Sequence, residues 1–344
     1  MRRLKYNEAI SEATVQCMQA DPSIFLAGIG IKDPDGFWGT TEEANERFPD
    51  RVYDIPNCEN AFAGIVIGAA AMGKRPLVSH PRNDFMFLAT DMLINLAAKW
   101  KYMYQRDDPM PVVTRGAVGR GWGQGATHSQ SLHALFGHFP GLYVATPAFA
   151  RDAKGIMVSA LTGTSPVVII ENRAAWHHED DVPEETYATP IGKGRVVREG
   201  TDVTIVGASL MAYEAVRAAD ILQQEHGVSA EVIDPRWIRP LDEEIILTSI
   251  AKTHHLVVAD TSWATYGFAA EVAAVAAEQG FADLQAPVKR VTLPDSPAPV
   301  SKPLEDAFHP SPRSIAQACL DVLRSEVQVT SHVHDVQAAF AGPY

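Results

Sequence analysis

The chain has 344 residues, 46% of them hydrophobic and 21% charged, with a net charge of −13. That is room for two ordinary domains with real cores, and the acidic balance argues against a nucleic-acid or anionic-membrane surface as its main business. Three separated cysteines (Cys17, Cys58, Cys319) make neither a disulfide framework nor a zinc spacing, so a reducing cytoplasm is the expected compartment. The basic start Met1-Arg2-Arg3-Leu4-Lys5 has no apolar run behind it, and neither a signal peptide nor a membrane span is expected.

Helix and strand alternate along the chain, the pattern of an α/β protein with mostly parallel sheets. Helical spacing covers Tyr6 to Ala20, and Ile24 to Ala27 reads as a short buried strand. A helix is predicted from Glu59 to Met72, a strand from Pro76 to Ser79, and one long amphipathic helix from Phe85 to Tyr102. Pro111 to Thr114, Leu142 to Ala145 and Val167 to Ile170 read as further strands, with a helix between Ala150 and Leu161. Asn172 to Pro190, centred on HHEDDVPEE, has no periodicity and reads as an exposed connection between domains. A second α/β unit follows, from strand Val203 to Val206 through helix Met211 to Glu225, which Gly227 stops, to a last helix from Pro312 to Leu323. The expected division is 1–185, 186–327 and a tail, 328–344, ordered only against a partner.

The helix opened by Glu59 carries a stripe of Ala61, Gly64, Ile65, Gly68, Ala69 and Met72. Each glycine costs helix propensity, roughly 1 kcal/mol relative to alanine, a cost offset where another backbone comes close. That backbone belongs either to the chain's own sheet or to a neighbouring subunit. Glu59 can be read as an acid complementing the helix dipole or as a carboxyl in apolar surroundings, tuned for proton transfer. From Gly116 to Gly125 there are five glycines in ten residues, which lets a loop approach a ligand closely. It matches neither the P-loop nor the dinucleotide fingerprint, which sets aside a nicotinamide dehydrogenase. His128 after that loop is an acid/base candidate.

The segments IPNCENAFAGIVIGAAAMG, DFMFLATDMLINLAAKWKYMY, GQGATHSQSLHALFGHFPGLYVATP and SPVVIIEN, in this order, resemble the beta chain of the decarboxylating component of 2-oxo acid dehydrogenase complexes. TDVTIVGASLMAYEAVRAADIL, AEVIDPRWIRPLD and THHLVVADTSWATYGFAAE resemble the C-terminal domain shared with transketolases. The resemblance implies two doubly wound domains, one binding the pyrimidine of thiamine diphosphate and one of transketolase C-terminal type. It implies that Glu59 activates the cofactor by protonating its ring, that Phe85 stacks on the pyrimidine, and that His128 reaches the substrate. Thiamine enzymes hold Mg2+ on a Gly-Asp-Gly sequence that this chain lacks, so the metal and the diphosphate are expected on an alpha-type partner in an alpha2beta2 heterotetramer containing a second beta subunit. A lipoyl acyltransferase core is a further expected partner. A potassium site on carbonyls near Ala160, Gly163 and Ser165 belongs to the same expectation.

His80, Arg82, Arg120, Trp122 and Gln124 depart from the family pattern and are candidate substrate contacts, with arginine suited to a carboxylate or phosphate. The other reading of these polar residues is pairing with nearby acids at a subunit contact. Three activities stay open: a 2-oxo acid decarboxylase feeding a lipoyl carrier, a carboligase or split transketolase using a carbonyl acceptor, and a non-catalytic scaffolding relative.

Overall fold

The computed structural model describes residues 2–34, 36–105, 107–119 and 123–323. The chain forms two compact units, residues 1–119 with 135–191, and residues 120–134 with 192–344.

In the first unit, α1 (Tyr6–Ala20) precedes β1 (Ile24–Gly28), β2 (Val52–Asp54), α2 (Glu59–Ala71) and β3 (Arg75–His80). Then come β4 (Val113–Val118), β5 (Tyr143–Ala145), α3 (Ala150–Thr162) and β6 (Val167–Asn172). The strands lie in the order β5-β6-β4-β3-β1-β2, and every pair within this set is parallel. All residues of β4 and β6 are buried, as expected of inner parallel strands covered on both faces. The crossovers bring every strand's carboxyl end to one edge of the sheet, the edge where open α/β sheets bind ligands.

The predicted long helix from Phe85 to Tyr102 is instead broken into three windings. A 3-10 helix spans Asn83–Ala89, a π-helix Asp91–Ala97 and a short α-helix Trp100–Tyr104. Asn83, Met86 and Ala89 are buried three residues apart, and only 3.0 residues per turn puts all three on one face. Gly116 is the reason they fit. A side chain there would lie 2.5 Å from Met86 Sδ and 2.9 Å from Asn83 Cβ. The tighter winding turns Phe85, Phe87 and Leu88 outward.

The stretch Asn172 to Pro190 is also more structured than its composition predicts. Arg173–Ala175 form a buried 3-10 turn. Glu179–Val182 pairs antiparallel with Arg2–Lys5, a long-range contact that no local pattern could show (Arg2 opposite Val182, Lys5 opposite Glu179). Buried Lys154 on α3 fastens the same stretch. Its Nζ donates to the carbonyls of Pro183 (2.7 Å) and Glu184 (3.1 Å) and pairs with Glu12.

The second unit holds a five-stranded sheet of β7 (Arg195–Arg198), β8 (Val203–Gly207), β9 (Ala230–Asp234), β10 (Leu256–Trp263) and β11 (Lys289–Leu293), in the order β11-β10-β8-β9-β7. All its pairs are parallel except β7 at the edge. Helices α4 (Leu210–His226), α5 (Glu243–Thr253), α6 (Phe268–Gln279) and α7 (Pro312–Val322) complete it. Gly227 ends α4 in the left-handed conformation, φ 67°, where glycine costs nothing. No helix among the described residues is long and apolar enough to cross a membrane.

Candidate functional site

Glu59, His80, Arg82 and Phe85 stand together at the carboxyl edge of the first unit's sheet. Glu59 is the first residue of α2, five positions past the end of β2; His80 ends β3; Arg82 and Phe85 follow it. α2 packs against the 3-10 segment that carries Phe85. Glu59 is only 8% exposed, yet its carboxylate has no hydrogen-bond or ion-pair partner among the described residues. A carboxylate at the head of a helix meets a favourable dipole. Such a group is poised for a ligand. Phe85 is 38% exposed.

His80 is buried, and that burial pushes its imidazole down to about 4, so it is neutral near pH 7. Arg82 Nη1 donates to the Pro81 carbonyl at 2.7 Å, and its guanidinium lies over the Trp38 ring at 5.3 Å. On that same indole sits Arg173, at 4.2 Å. Phe37 and Trp38 adopt left-handed backbone conformations (φ 45° and 54°), which cost of order 1–3 kcal/mol each and persist only where the surroundings enforce them.

Beneath them lies a buried ion pair that touches Phe37 and Thr40. Arg115 on β4 donates to both oxygens of Glu171 on neighbouring β6, Nε to Oε1 at 2.6 Å and Nη2 to Oε2 at 2.8 Å. Arg115 Nη1 also donates to Thr40 Oγ1 (2.9 Å), and Trp176 Nε1 donates to Glu171 Oε2 (3.2 Å). The Arg115 guanidinium covers the Phe37 ring at 4.6 Å. Arg115, Glu171, Trp38 and Arg173 all escaped the sequence reading. A basic residue in an otherwise apolar strand, opposite an acid in the next strand, is the one signal that could have found the pair.

Gln124 and His128 belong to the other unit. Gly123 and Gly125, with φ 67° and 69°, shape a turn against Val300, and the His128 amide donates to the Gly125 carbonyl at 3.4 Å. His128 Nδ1 lies 3.0 Å from Thr127 Oγ1. Arg120 and Trp122 lie outside the described residues. Five residues on from His128 the same segment is anchored by a buried network. His133 Nε2 meets Asp260 Oδ1 at 2.8 Å, and Ser131 Oγ bridges His133 Nδ1 and Thr261 Oγ1 at 3.0 Å each. Burial works to raise the Asp260 pKa, but the charge of His133 and hydrogen bonds with His133 and Ser262 outweigh it and hold the carboxyl below its usual range.

Of the carbonyls expected to hold potassium, that of Gly163 accepts from Arg75 Nη2, while Arg75 Nε donates to the neighbouring Leu161 carbonyl at 2.9 Å, so a guanidinium stands beside that position.

On α2, Phe62, Ala63, Val66, Ile67 and Ala70 face the core. The stripe with the glycines faces outward: Ile65 is 64% and Met72 84% exposed, and nothing approaches the position a Gly68 side chain would take. The chain's own sheet is therefore not what the glycines serve.

Known proteins share this architecture and its sequence. The family model for the transketolase pyrimidine-binding domain matches residues 2–177, and that for the transketolase C-terminal domain matches 192–315. The acetoin:2,6-dichlorophenolindophenol oxidoreductase subunit beta of Cupriavidus necator is 38% identical, covering 94% of this chain and 98% of its own length. The pyruvate dehydrogenase E1 component subunit beta of Rickettsia felis is 36% identical, covering 92% and 97%. A solved structure, "Split gene transketolase, inactive beta4 tetramer", superposes with a TM-score of 0.77 over 94% of this chain and 99% of its own, at 24% identity, a likeness of fold alone. The chain belongs to the transketolase-like family, in the branch of two-domain beta subunits that includes those of pyruvate dehydrogenase E1 and acetoin oxidoreductase.

Proposed function

We propose that the chain is the beta-type subunit of a thiamine-diphosphate enzyme that decarboxylates a 2-oxo acid and passes the acyl unit to a lipoyl carrier. Its functional domains are taken as 1–185 and 186–327, followed by the tail 328–344. The observation that carries this reading is the nearly buried carboxylate of Glu59 at the head of α2, without a hydrogen-bond partner among the described residues, with Phe85 on the segment packed beside that helix. Thiamine diphosphate, when bound, supplies an electron sink for the carbon left by decarboxylation.

Glu59 holds a proton at its carboxyl oxygen for the ring nitrogen and takes it back, which requires a site dry enough to keep the proton local. Phe85 orients the ring through its face, at little entropy cost because it is already held by the 3-10 turn. His128, with Thr127 on Nδ1, is the proton carrier on the substrate side. His80, Arg82 and Gln124 are assigned to the substrate, with Arg120 and Trp122 as further candidates. Mg2+ and the diphosphate are assigned to the alpha-type partner, because the Gly-Asp-Gly sequence is missing here. The outward stripe Gly64, Ile65, Gly68 and Met72 supports helix packing against another subunit, alpha or beta, in an alpha2beta2 assembly.

A carboligase or split transketolase is the second reading. The observation that favours it is the basic, aromatic corner of Arg82, Arg173 and Trp38.

The test is reconstitution. The chain alone should bind thiamine diphosphate weakly and show no turnover; mixed with its alpha-type partner and Mg2+ it should release carbon dioxide from a 2-oxo acid. In that mixture Glu59→Gln should lower kcat by roughly 100-fold or more, the scale of one proton-transfer group, with the assembly intact by light scattering. Full activity from the lone chain, or a near-normal rate for the variant, would refute the assignment.

A further inference from the structure

The segment that carries His128 has neither helix nor strand between Gly123 and Leu132, so no ladder fixes its place. From His128 to Ser131 its burial alternates. Ser129 and Ser131 are buried, whereas His128 and Gln130 are half-buried. That is the period of an extended chain, with one face committed to the interior and the other carrying His128. At one end Gly123 and Gly125 turn against Val300.

The other end is clasped. His133 uses both ring nitrogens, Nε2 on Asp260 Oδ1 at 2.8 Å and Nδ1 on Ser131 Oγ at 3.0 Å. Ser131 Oγ continues to Thr261 Oγ1 at 3.0 Å, which closes a ring of four side chains drawn from two segments. Asp260 Oδ1 also accepts from the Ser262 amide at 3.1 Å, and Oδ2 accepts from the Ser262 hydroxyl. The Phe268 ring meets the imidazole edge to face, with centroids 6.4 Å apart. The anchor is stiff, because Asp260 and Thr261 lie on β10, an inner strand paired with both β8 and β11. Its register with β11 shifts between Ala259 and Trp263, the kind of irregularity that re-aims side chains.

The ring of side chains is satisfied in two ways. With His133 protonated, Nδ1 donates to Ser131 and Ser131 to Thr261. With the proton on Nε2 alone, Thr261 donates to Ser131 and Ser131 to Nδ1. Turning two hydroxyls converts one pattern into the other, so the clasp holds in either charge state. His133 and Asp260 are both fully buried, and a buried pair of this kind adds little stability over apolar packing of the same volume. Its best-attested use is to select one arrangement.

We infer that His133 is a positioning residue: clasped to Asp260, it fixes the path of the segment from Gly123 onward and thereby the place of His128. Where His128 stands concerns this chain alone. That turnover depends on it rests on the thiamine-enzyme reading, in which His128 carries a proton on the substrate side.

The experiment labels the histidines of the full chain with carbon-13 at Cε1 and identifies the His128 signal by its loss in His128→Gln. His133→Phe keeps the bulk of the ring and removes both hydrogen bonds, and His133→Gln keeps a donor for Asp260. In His133→Phe the His128 signal should shift or split, and in His133→Gln it should stay at its native position. In the complex reconstituted with the alpha-type partner, Mg2+ and thiamine diphosphate, His133→Phe should lower kcat by about tenfold or more, as small misplacements of a reacting group do. KM for the 2-oxo acid should stay within about twofold, since the loss falls on the reacting geometry, and His133→Gln should restore most of the rate. Thermal melts show which variants fold. If His133→Phe does not, Thr261→Val opens the ring without stranding a charge and should move the same signal. A native His128 signal in the folded variant, or a normal kcat once that signal has moved, would overturn the proposal. A native complex with no thiamine-dependent turnover would refute the enzymatic reading and leave the carbon-13 result as it was.

Discussion

Each of the two units buries a cluster of charged groups, and the two clusters are finished differently. In the second unit His133 and Asp260 are closed in by Ser131, Thr261 and Ser262, all from the same unit, and their hydrogen bonds meet within it. In the first unit the Arg115–Glu171 pair is closed in this way. Near it, Glu59 has no hydrogen-bond or ion-pair partner among the described residues, and Arg82 and Arg173 share an aromatic face. A closed network holds a shape, whereas a carboxylate without a partner has free energy to gain when one arrives.

Unpairing the two closed clusters is the strongest way to probe that contrast. Glu171→Ala strands a fully buried guanidinium and should cost about 3–5 kcal/mol. Asp260→Ala leaves an imidazole that can stay neutral, so its cost should be nearer 1–3 kcal/mol. Urea denaturation of both variants gives the order, and a larger loss for Asp260→Ala would reverse the account of which unit hides the costlier charge.

The next effect is one of pH. In the folded chain His80 takes up a proton only near pH 4, whereas an unfolded histidine does so near its ordinary value of 6.5. Between those values the unfolded state binds more protons, so stability is full above pH 6.5 and falls as pH drops toward 4, by an amount on the order of 3 kcal/mol. His80→Asn should flatten that limb of the stability profile. An unchanged slope would show that another group titrates there.

The smallest effect on the chain itself is expected at Gly68. Leucine there meets open space and gains helix propensity, so the isolated chain should be unchanged or up to about 1 kcal/mol more stable. Assembly with the alpha-type partner, followed by size-exclusion chromatography, should be lost. Normal assembly would move the subunit contact away from the outer face of α2.

Much of the frame was legible in the sequence because it is local. The spacing of apolar residues located α1 and α4, and Gly227 marked the end of α4 through its left-handed φ. Glu59 could be placed at a helix start from Pro56-Asn57-Cys58 before it. What could not be read depends on distant partners. The 3-10 winding of 83–89 answers to the bare backbone of Gly116, thirty positions away. HHEDDVPEE has the composition of a loop, and a strand forms there only because residues 2–5 lie alongside. Arg173 looked like a connector residue, since nothing in the sequence showed that Trp38 would reach it.

The outer face of α2 also has a consequence for the cell that makes this protein. Ile65 and Met72, with Phe87 and Leu88 on the 3-10 segment packed against α2, expose apolar side chains on a chain that, on the proposed reading, is incomplete by itself. Surfaces of that kind attract one another when uncovered, and a bound partner stabilises the folded form in proportion to its supply. Production of the two chains would then have to be matched, so the ratio of two messages becomes part of what determines how much of this one survives.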